Sequence, residues 1–515
     1  MTFKRMGWPA AALTALAVCA GAAACSSTPS AGRTTGTQTA AVVIGTTSAP
    51  TSLDPAVGTS GGDYQYLYMI YARLINQNPK TGAFAPGLAT SWKFTGASNL
   101  TFDMTLRQGV KFQDGTPFNA AAVKTSLEHF IKAGVLPDLS SVQSISTPSP
   151  YSVVLHLSSQ FSALPAILAD RAGMIISPAA LAKYGKNIGT HPVGAGPYEF
   201  VSQVPNASIT LKRFPGYYQS GFARASGITW QIFSSSVTME NALRSGSIDV
   251  AAGVPPTDAS ALKSDSGITV STGPSLWYTG LWLNTKLSPV SNQYVRQAIQ
   301  YALNRNTLAQ AATDGTGKAA WEVVPPGTPD YVANPPTYSY DPTLAKQLLA
   351  RAGYSKGVKL SCILPAGLGS LGYPTIVPFI QNELAAVGIH LTFESMSLPA
   401  SVPAFFTNAG AQCYASGWSG RPDPEMTLAA IVQTSSYFNA GHVNYNLQGD
   451  LNRLNSTYSA SGRLAVMGQI YASMHTLAPS VILFTDPEVV AYTSKLGGFV
   501  PSFSGKDDMS GVYLK

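Results

Sequence analysis

Charge is scarce in this chain: 11% of its 515 residues are Asp, Glu, Lys or Arg, against 45% hydrophobic. The formal balance is +7, and it falls to +5 without Lys4 and Arg5. Apart from the pairs Lys4-Arg5 and Lys212-Arg213 the basic residues are scattered singly, with no longer Lys/Arg block to follow a phosphate backbone, so no nucleic-acid partner is expected. Cysteine is scarcer still, with four residues at 19, 25, 362 and 413. Neither their spacing nor that of the six histidines matches a zinc pattern. Beyond residue 25 no apolar run approaches the roughly 18 residues that a membrane-spanning helix needs. Catalytic signatures are missing too. Gly417-Trp418-Ser419-Gly420 lacks the spacing of a nucleophile elbow, and there is no phosphate-binding loop. Val193-Gly194-Ala195-Gly196-Pro197-Tyr198 contains a GxG that leads into Pro and not into a helix, unlike a dinucleotide site. The expectation is no catalysis, no metal and no cofactor.

What is present begins at the amino terminus. Lys4 and Arg5 precede an apolar run over 10–24, and Ala22-Ala23-Ala24 leads into Cys25. That run is too short to span a bilayer and has the layout of an export signal. A small-residue run ending in Cys is similar to the lipobox of bacterial lipoproteins, with Ala22 where Leu is commonest. The reading is a signal peptide at 1–24, a lipidated Cys25, and a Ser/Thr/Gly-rich tether at 25–40. The alternative is plain secretion with cleavage after Ala24. Either way the remaining chain works outside the cytoplasm, and lipidation would anchor it to the bacterial cell membrane. About 475 residues then remain, too many for one hydrophobic core, so two or three lobes are expected. In an oxidising exterior Cys362 and Cys413 invite a disulfide; the alternative is a pair of buried thiols.

Periodicity gives a coarse map. A short strand at 41–45 is followed by a helix at 63–75, a strand beginning at 100, and a helix that Asn119 caps and that runs to 131. Strands at 153–157 and 209–213 flank a helical stretch around 161–168. The second half carries helices at 295–312 and 342–352. Strands at 359–364, 389–394 and 412–416 then alternate with helices at 375–387 and 402–408. Such alternation indicates a parallel α/β sheet. In the common strand order of these sheets the first and third strands are neighbours, which would set Cys362 beside Cys413. A helix at 462–476 and strands at 481–484 and 489–492 complete the map.

Several segments, in order, resemble the peptide-type (family 5) extracellular solute-binding proteins of ABC importers. They are Ser52-Leu53-Asp54-Pro55, Ala85-Pro86-Gly87-Leu88-Ala89-Thr90-Ser91-Trp92, and the run from Leu106-Arg107-Gln108-Gly109 to Asp114-Gly115-Thr116-Pro117-Phe118. Pro192 to Tyr198, Leu283-Asn284-Thr285-Lys286, Val295-Arg296-Gln297-Ala298-Ile299 and Ala345 to Tyr354 continue the series, so the resemblance covers about residues 41–515. It implies a monomeric, two-lobed α/β receptor of the periplasmic-binding-protein type that closes by a hinge on a peptide-like or other small polar solute and delivers it to ABC permease subunits. The first lobe would comprise 41–75, 193–283 and 486–515, with an extra subdomain at 76–192. The second lobe would be 284–485, with crossings near 283–286 and 485–488. Two other functions stay open: a solute sensor without transport, and a secreted hydrolase.

The segment Gly417-Trp418-Ser419-Gly420-Arg421-Pro422-Asp423-Pro424 follows a parallel strand, where open α/β sheets bind ligands. Peptide-binding relatives place an amine-binding Asp three residues after the Trp; here that position is Arg421. A guanidinium favours a carboxylate or phosphate. The alternative is that Arg421 pairs with Asp423 or Glu425 and only stiffens the loop. Aromatic faces add Trp277, Tyr278 and Tyr64 to the candidates. The ligand-binding set is therefore Trp418, Arg421, Asp423, Tyr278, Trp277, Tyr64 and Gly417. Arg296 is assigned to a carboxylate partner inside the fold, and Arg107, Asp114 and Trp92 to structure.

Overall fold

The computed structural model describes residues 40–515 apart from 59, 97, 137, 329 and 367–370. The expected signal peptide, Cys25 and the expected tether up to residue 39 lie outside the described residues. Among the described residues, no helix is long and apolar enough to cross a membrane.

Two large sheets organise these residues. The first runs Ile268–Gly273, Glu488–Thr493, Val250–Ala252, Val42–Thr46, Gly227–Ile232, Ser208–Arg213, Tyr198–Val204. Val42–Thr46 sits at its centre, parallel to both neighbours. Parallel strands are covered on both faces, which suits this short apolar run. One face packs Ile44, Tyr66, Leu67 and Trp230. The other packs Met239, Leu243, Ile248 and Leu262. A Cβ at Gly45 would lie 2.5 Å from Ile248 Cδ1, so a side chain there would have to displace this second face.

The second sheet runs Ile389–Met396, Val358–Pro365, Cys413–Trp418, Tyr278–Leu283, Ser480–Thr485. Its first three strands are parallel, and Cys362 and Cys413 are register partners joined by a disulfide, with Cα atoms 4.4 Å apart. Tyr278–Leu283 lies antiparallel between Cys413–Trp418 and Ser480–Thr485. This corrects the lobe boundary expected at residue 283. The strand is buried along its whole length, so it needs cover on both faces, and it finds that cover in the second sheet. The chain therefore crosses between the sheets at 274–277 and at 486–487, the first crossing lying several residues before the expected place.

A separate antiparallel sheet of four strands, Ala89–Thr95, Thr101–Leu106, Ser152–Leu157 and Val142–Ser149, packs on the helix Ala120–Ala133. Phe102, Met104, Val123, Leu127 and Phe130 form its core. Asn119 caps the helix by accepting from Ala122 N–H, and left-handed Gly134 ends it.

Three local expectations are corrected. The helix at 63–75 is shorter, Tyr64–Ile70, because Tyr71 turns extended. The helix at 295–312 is two helices, Gln293–Ala302 and Arg305–Thr313; Leu303 is extended and the Asn304 side chain caps the second by accepting from Thr307 N–H. Among the described residues Arg296 has no carboxylate in ion-pair contact. Its guanidinium donates to the main-chain carbonyls of Leu477, Ala478, Val290 and Ser291, which gathers the end of the helix Ala460–Leu477.

Candidate functional site

A cavity of about 440 Å³ opens where the four-stranded unit meets the helices beside the second sheet. Phe94 and Ser162 line it from one side, Arg421, Asp423 and Arg463 from the other, and Leu276 from the crossing. The volume falls in the range of small-molecule sites, about 300–1,000 Å³.

The strand Cys413–Trp418 delivers its following loop to this cavity. Gly420 takes a left-handed backbone (φ 64°), and a Cβ there would lie 2.4 Å from Leu276 Cβ. Only glycine lets the loop pass this close to the crossing. Arg421 then lies over the Trp418 indole, its guanidinium carbon 4.7 Å from the ring centroid. It makes no ion pair among the described residues. The alternative in which it pairs with Asp423 or Glu425 is therefore not what the structure holds. Asp423 is bound by Arg463, whose Nη2 is 2.6 Å from both carboxylate oxygens. Asp423 also caps the helix Pro424–Val432, accepting from Glu425 N–H at 2.9 Å. Glu425 accepts from Asn455 Nδ2 at 2.9 Å, and burial together with Asp423 pushes its carboxyl up to about 7.

Among the sequence candidates, Arg421 and Asp423 line the cavity; Trp418, Tyr278, Trp277, Tyr64 and Gly417 do not. Trp418 is buried, donates its indole N–H to Thr427 Oγ1 at 3.1 Å, and meets Trp282 and Phe438 edge-on, so it serves as a rigid floor for Arg421. Tyr278 is its buried register partner on the adjacent strand. At Gly417 the space a side chain would fill belongs to Leu371, 2.5 Å from a built Cβ. The Trp277 ring packs against Gly61 and Gly505, and its buried indole N–H has no hydrogen-bond partner among the described residues.

Tyr64 belongs to a buried charge cluster behind Arg421. Its ring carries Arg171 at 4.2 Å and Lys506 at 4.1 Å. Arg171 pairs with Asp63 at 3.3 Å and Lys506 with Asp170 at 3.2 Å. Burial lowers the Lys506 ammonium, with Asp170 opposing and Arg421 and Arg171 adding to the drop. Asp63 also accepts from Thr51 N–H and hydroxyl, both at 2.7 Å, and from Ser60 N–H. Asp170, Arg171, Lys506, Arg463 and Asp330 carry no motif, and sequence reasoning missed them. The Lys506–Asp170 pair joins positions 336 residues apart, a separation no local pattern signals.

The family model "Bacterial extracellular solute-binding proteins, family 5 Middle" matches residues 83–439. The glutathione-binding protein GsiB of Escherichia coli O6:K15:H31 (strain 536 / UPEC) is 36% identical over 304 residues, covering 58% of each chain. The chain thus spans little over half the length of the first curated relatives it matches. GsiB of Salmonella typhi is 30% identical over 417 residues, 78% of this chain and 80% of that protein. Among solved structures, AgaA from A. tumefacien R10 in complex with agropinic acid superposes with TM-score 0.81 at 27% identity, over 92% of this chain and 99% of that one. DppA from Helicobacter pylori in complex with peptide STSA gives TM-score 0.82 at 24% identity, over 92% and 98%. The fold is that of the two-lobed periplasmic binding proteins. The matched family model, covering more than half the chain and agreeing with that fold, establishes that this protein belongs to the bacterial extracellular solute-binding proteins, family 5.

Proposed function

We propose that this protein is the solute receptor of an ABC importer, held on the outer face of the bacterial membrane by lipidated Cys25. It captures a small polar or peptide-like solute in the cavity at Arg421 as a monomer, leaves the solute chemically unchanged, and passes it to the permease. The lobes close about the crossings at 274–277 and 486–487. On this reading the first lobe core is 41–75, 193–273 and 488–515, with the extra subdomain at 76–192.

The observation that carries the reading is Arg421. It is a cavity-lining cation, braced on Trp418, with no carboxylate in ion-pair contact among the described residues. Its planar donors suit a carboxylate or phosphate on the solute. The relatives named for glutathione and the neighbour holding agropinic acid fit a ligand with an acidic group. Native mass spectrometry of freshly purified protein would identify a co-purified ligand, and calorimetry would follow its rebinding. Arg421→Ala is expected to weaken an acidic ligand by about 1.5–3 kcal/mol, the scale of a charge-assisted hydrogen bond. Chemical turnover of the bound solute, or unmodified dipeptides that bind tightly and ignore the substitution, would contradict the assignment.

A further inference from the structure

Among the described residues, four charged side chains line the cavity: Asp330, Arg421, Asp423 and Arg463. Asp423 and Arg463 neutralise each other at 2.6 Å. One guanidinium and one carboxylate are left, and neither forms an ion pair among the described residues. They do not serve each other. Both line the same cavity, and no ion pair joins them among the described residues. The cavity therefore offers two separate, opposite poles.

We propose that Asp330 is a second recognition residue, binding an ammonium or similar cation on a ligand whose anionic group sits on Arg421, so that the solutes taken are zwitterionic. This rests on the solute-receptor reading and narrows it. A purely anionic or neutral solute would leave the Asp330 carboxyl facing the ligand without a partner, and that mismatch is costly in a closed site. Burial and the neighbouring Asp423 raise the Asp330 carboxyl, while Arg463 lowers it. A bound cation relieves the same strain. The wall of the cavity includes Phe84, Val323 and Val324, with Phe94 against Tyr458 at a centroid distance of 4.8 Å. That apolar surface suits the uncharged middle of such a ligand. Asp330 itself sits in a left-handed turn (φ 63°), a conformation that Asp tolerates better than most side chains.

The test is calorimetry on the full chain with tetraalanine and glutathione, each free, N-acetylated, carboxyl-blocked and blocked at both ends. The free forms are expected to bind at least about tenfold tighter than either singly blocked form. Asp330→Asn should erase the penalty for acetylation alone, and Arg421→Gln the penalty for carboxyl blocking alone. Acetylated ligands binding as well as free ones would overturn the proposal, as would Asp330→Asn weakening all forms equally, which marks a structural role. Doubly blocked ligands binding as tightly as free ones would keep the receptor reading and remove the zwitterion. Silence from every form would remove both.

Discussion

Asp423 caps a helix and neutralises Arg463 at the same time, so its carboxylate is buried only because both partners are present. Removing one member of such a pair strands the other charge away from water. Arg463→Met is expected to cost about 3–5 kcal/mol in denaturant unfolding, and adding Asp423→Asn should recover part of that loss. Equal losses in the single and double variants would show that the charge pairing is not the cause. Glu425, next along, has the opposite character. Burial and Asp423 hold its folded-state carboxyl at about 7, above the ordinary 4.5. A raised carboxyl stabilises the folded state fully below the unfolded value, and that stability is lost as pH climbs through about 7. Asp486 and Asp507, also raised to about 7, act in the same direction. The unfolding free energy is therefore expected to fall between about pH 5 and about pH 8, and Glu425→Gln to flatten that fall by up to about 3 kcal/mol. A wild-type curve level across this window would contradict the buried-acid picture.

The second sheet shows what a sequence can say about elements. Strands 359–364, 389–394 and 412–416 stand out as short apolar runs separated by helical periodicity, and the structure places them within a few residues of those bounds, as Val358–Pro365, Ile389–Met396 and Cys413–Trp418. Their parallel order follows from the connections between them. The run Tyr278–Leu283 is apolar at every position, so its pattern carries no facing information and cannot say which sheet it joins. Ala89–Thr95 is exposed or half-buried at every position after Ala89, and it escaped notice for that reason. Trp418 and Tyr278 looked like ligand contacts because aromatics suit both cores and binding sites; here the core holds them. Asp330 lies in a loop with no motif, and only the folded cavity singles it out. The disulfide gives this scale its prediction. It closes a loop of 51 residues, for which lost chain entropy in the unfolded state amounts to about 4 kcal/mol. Paired Cys362→Ser and Cys413→Ser is expected to lower unfolding free energy by about 2–4 kcal/mol, with ligand affinity nearly unchanged because neither cysteine lines the cavity. A large loss of affinity at unchanged stability would reverse that assignment.

Across the whole described molecule, the contacts that bridge the cavity converge on Ser162. Its N–H donates to Asn455 O at 2.9 Å and its hydroxyl to Leu454 O at 3.2 Å, while Arg463 donates to that hydroxyl. Phe94 against Tyr458 extends the same seam. These contacts join the four-stranded unit to helices beside the second sheet, and only short crossings at 274–277 and 486–487 join the two large sheets covalently. A ligand that binds the closed form better shifts the population toward it, and only by that difference in affinity. A bulky group at Ser162 should penalise closure while leaving each sheet intact. Ser162→Trp is therefore expected to weaken ligand binding by about tenfold or more, with ligand-free stability changed by no more than about 1 kcal/mol. Small-angle scattering separates the two ways this could happen. A propped seam leaves the ligand-saturated variant more expanded than the wild type, whereas simple occlusion of the cavity leaves the dimensions alike. Wild-type affinity in the variant would mean that closure at this seam and ligand capture are not coupled.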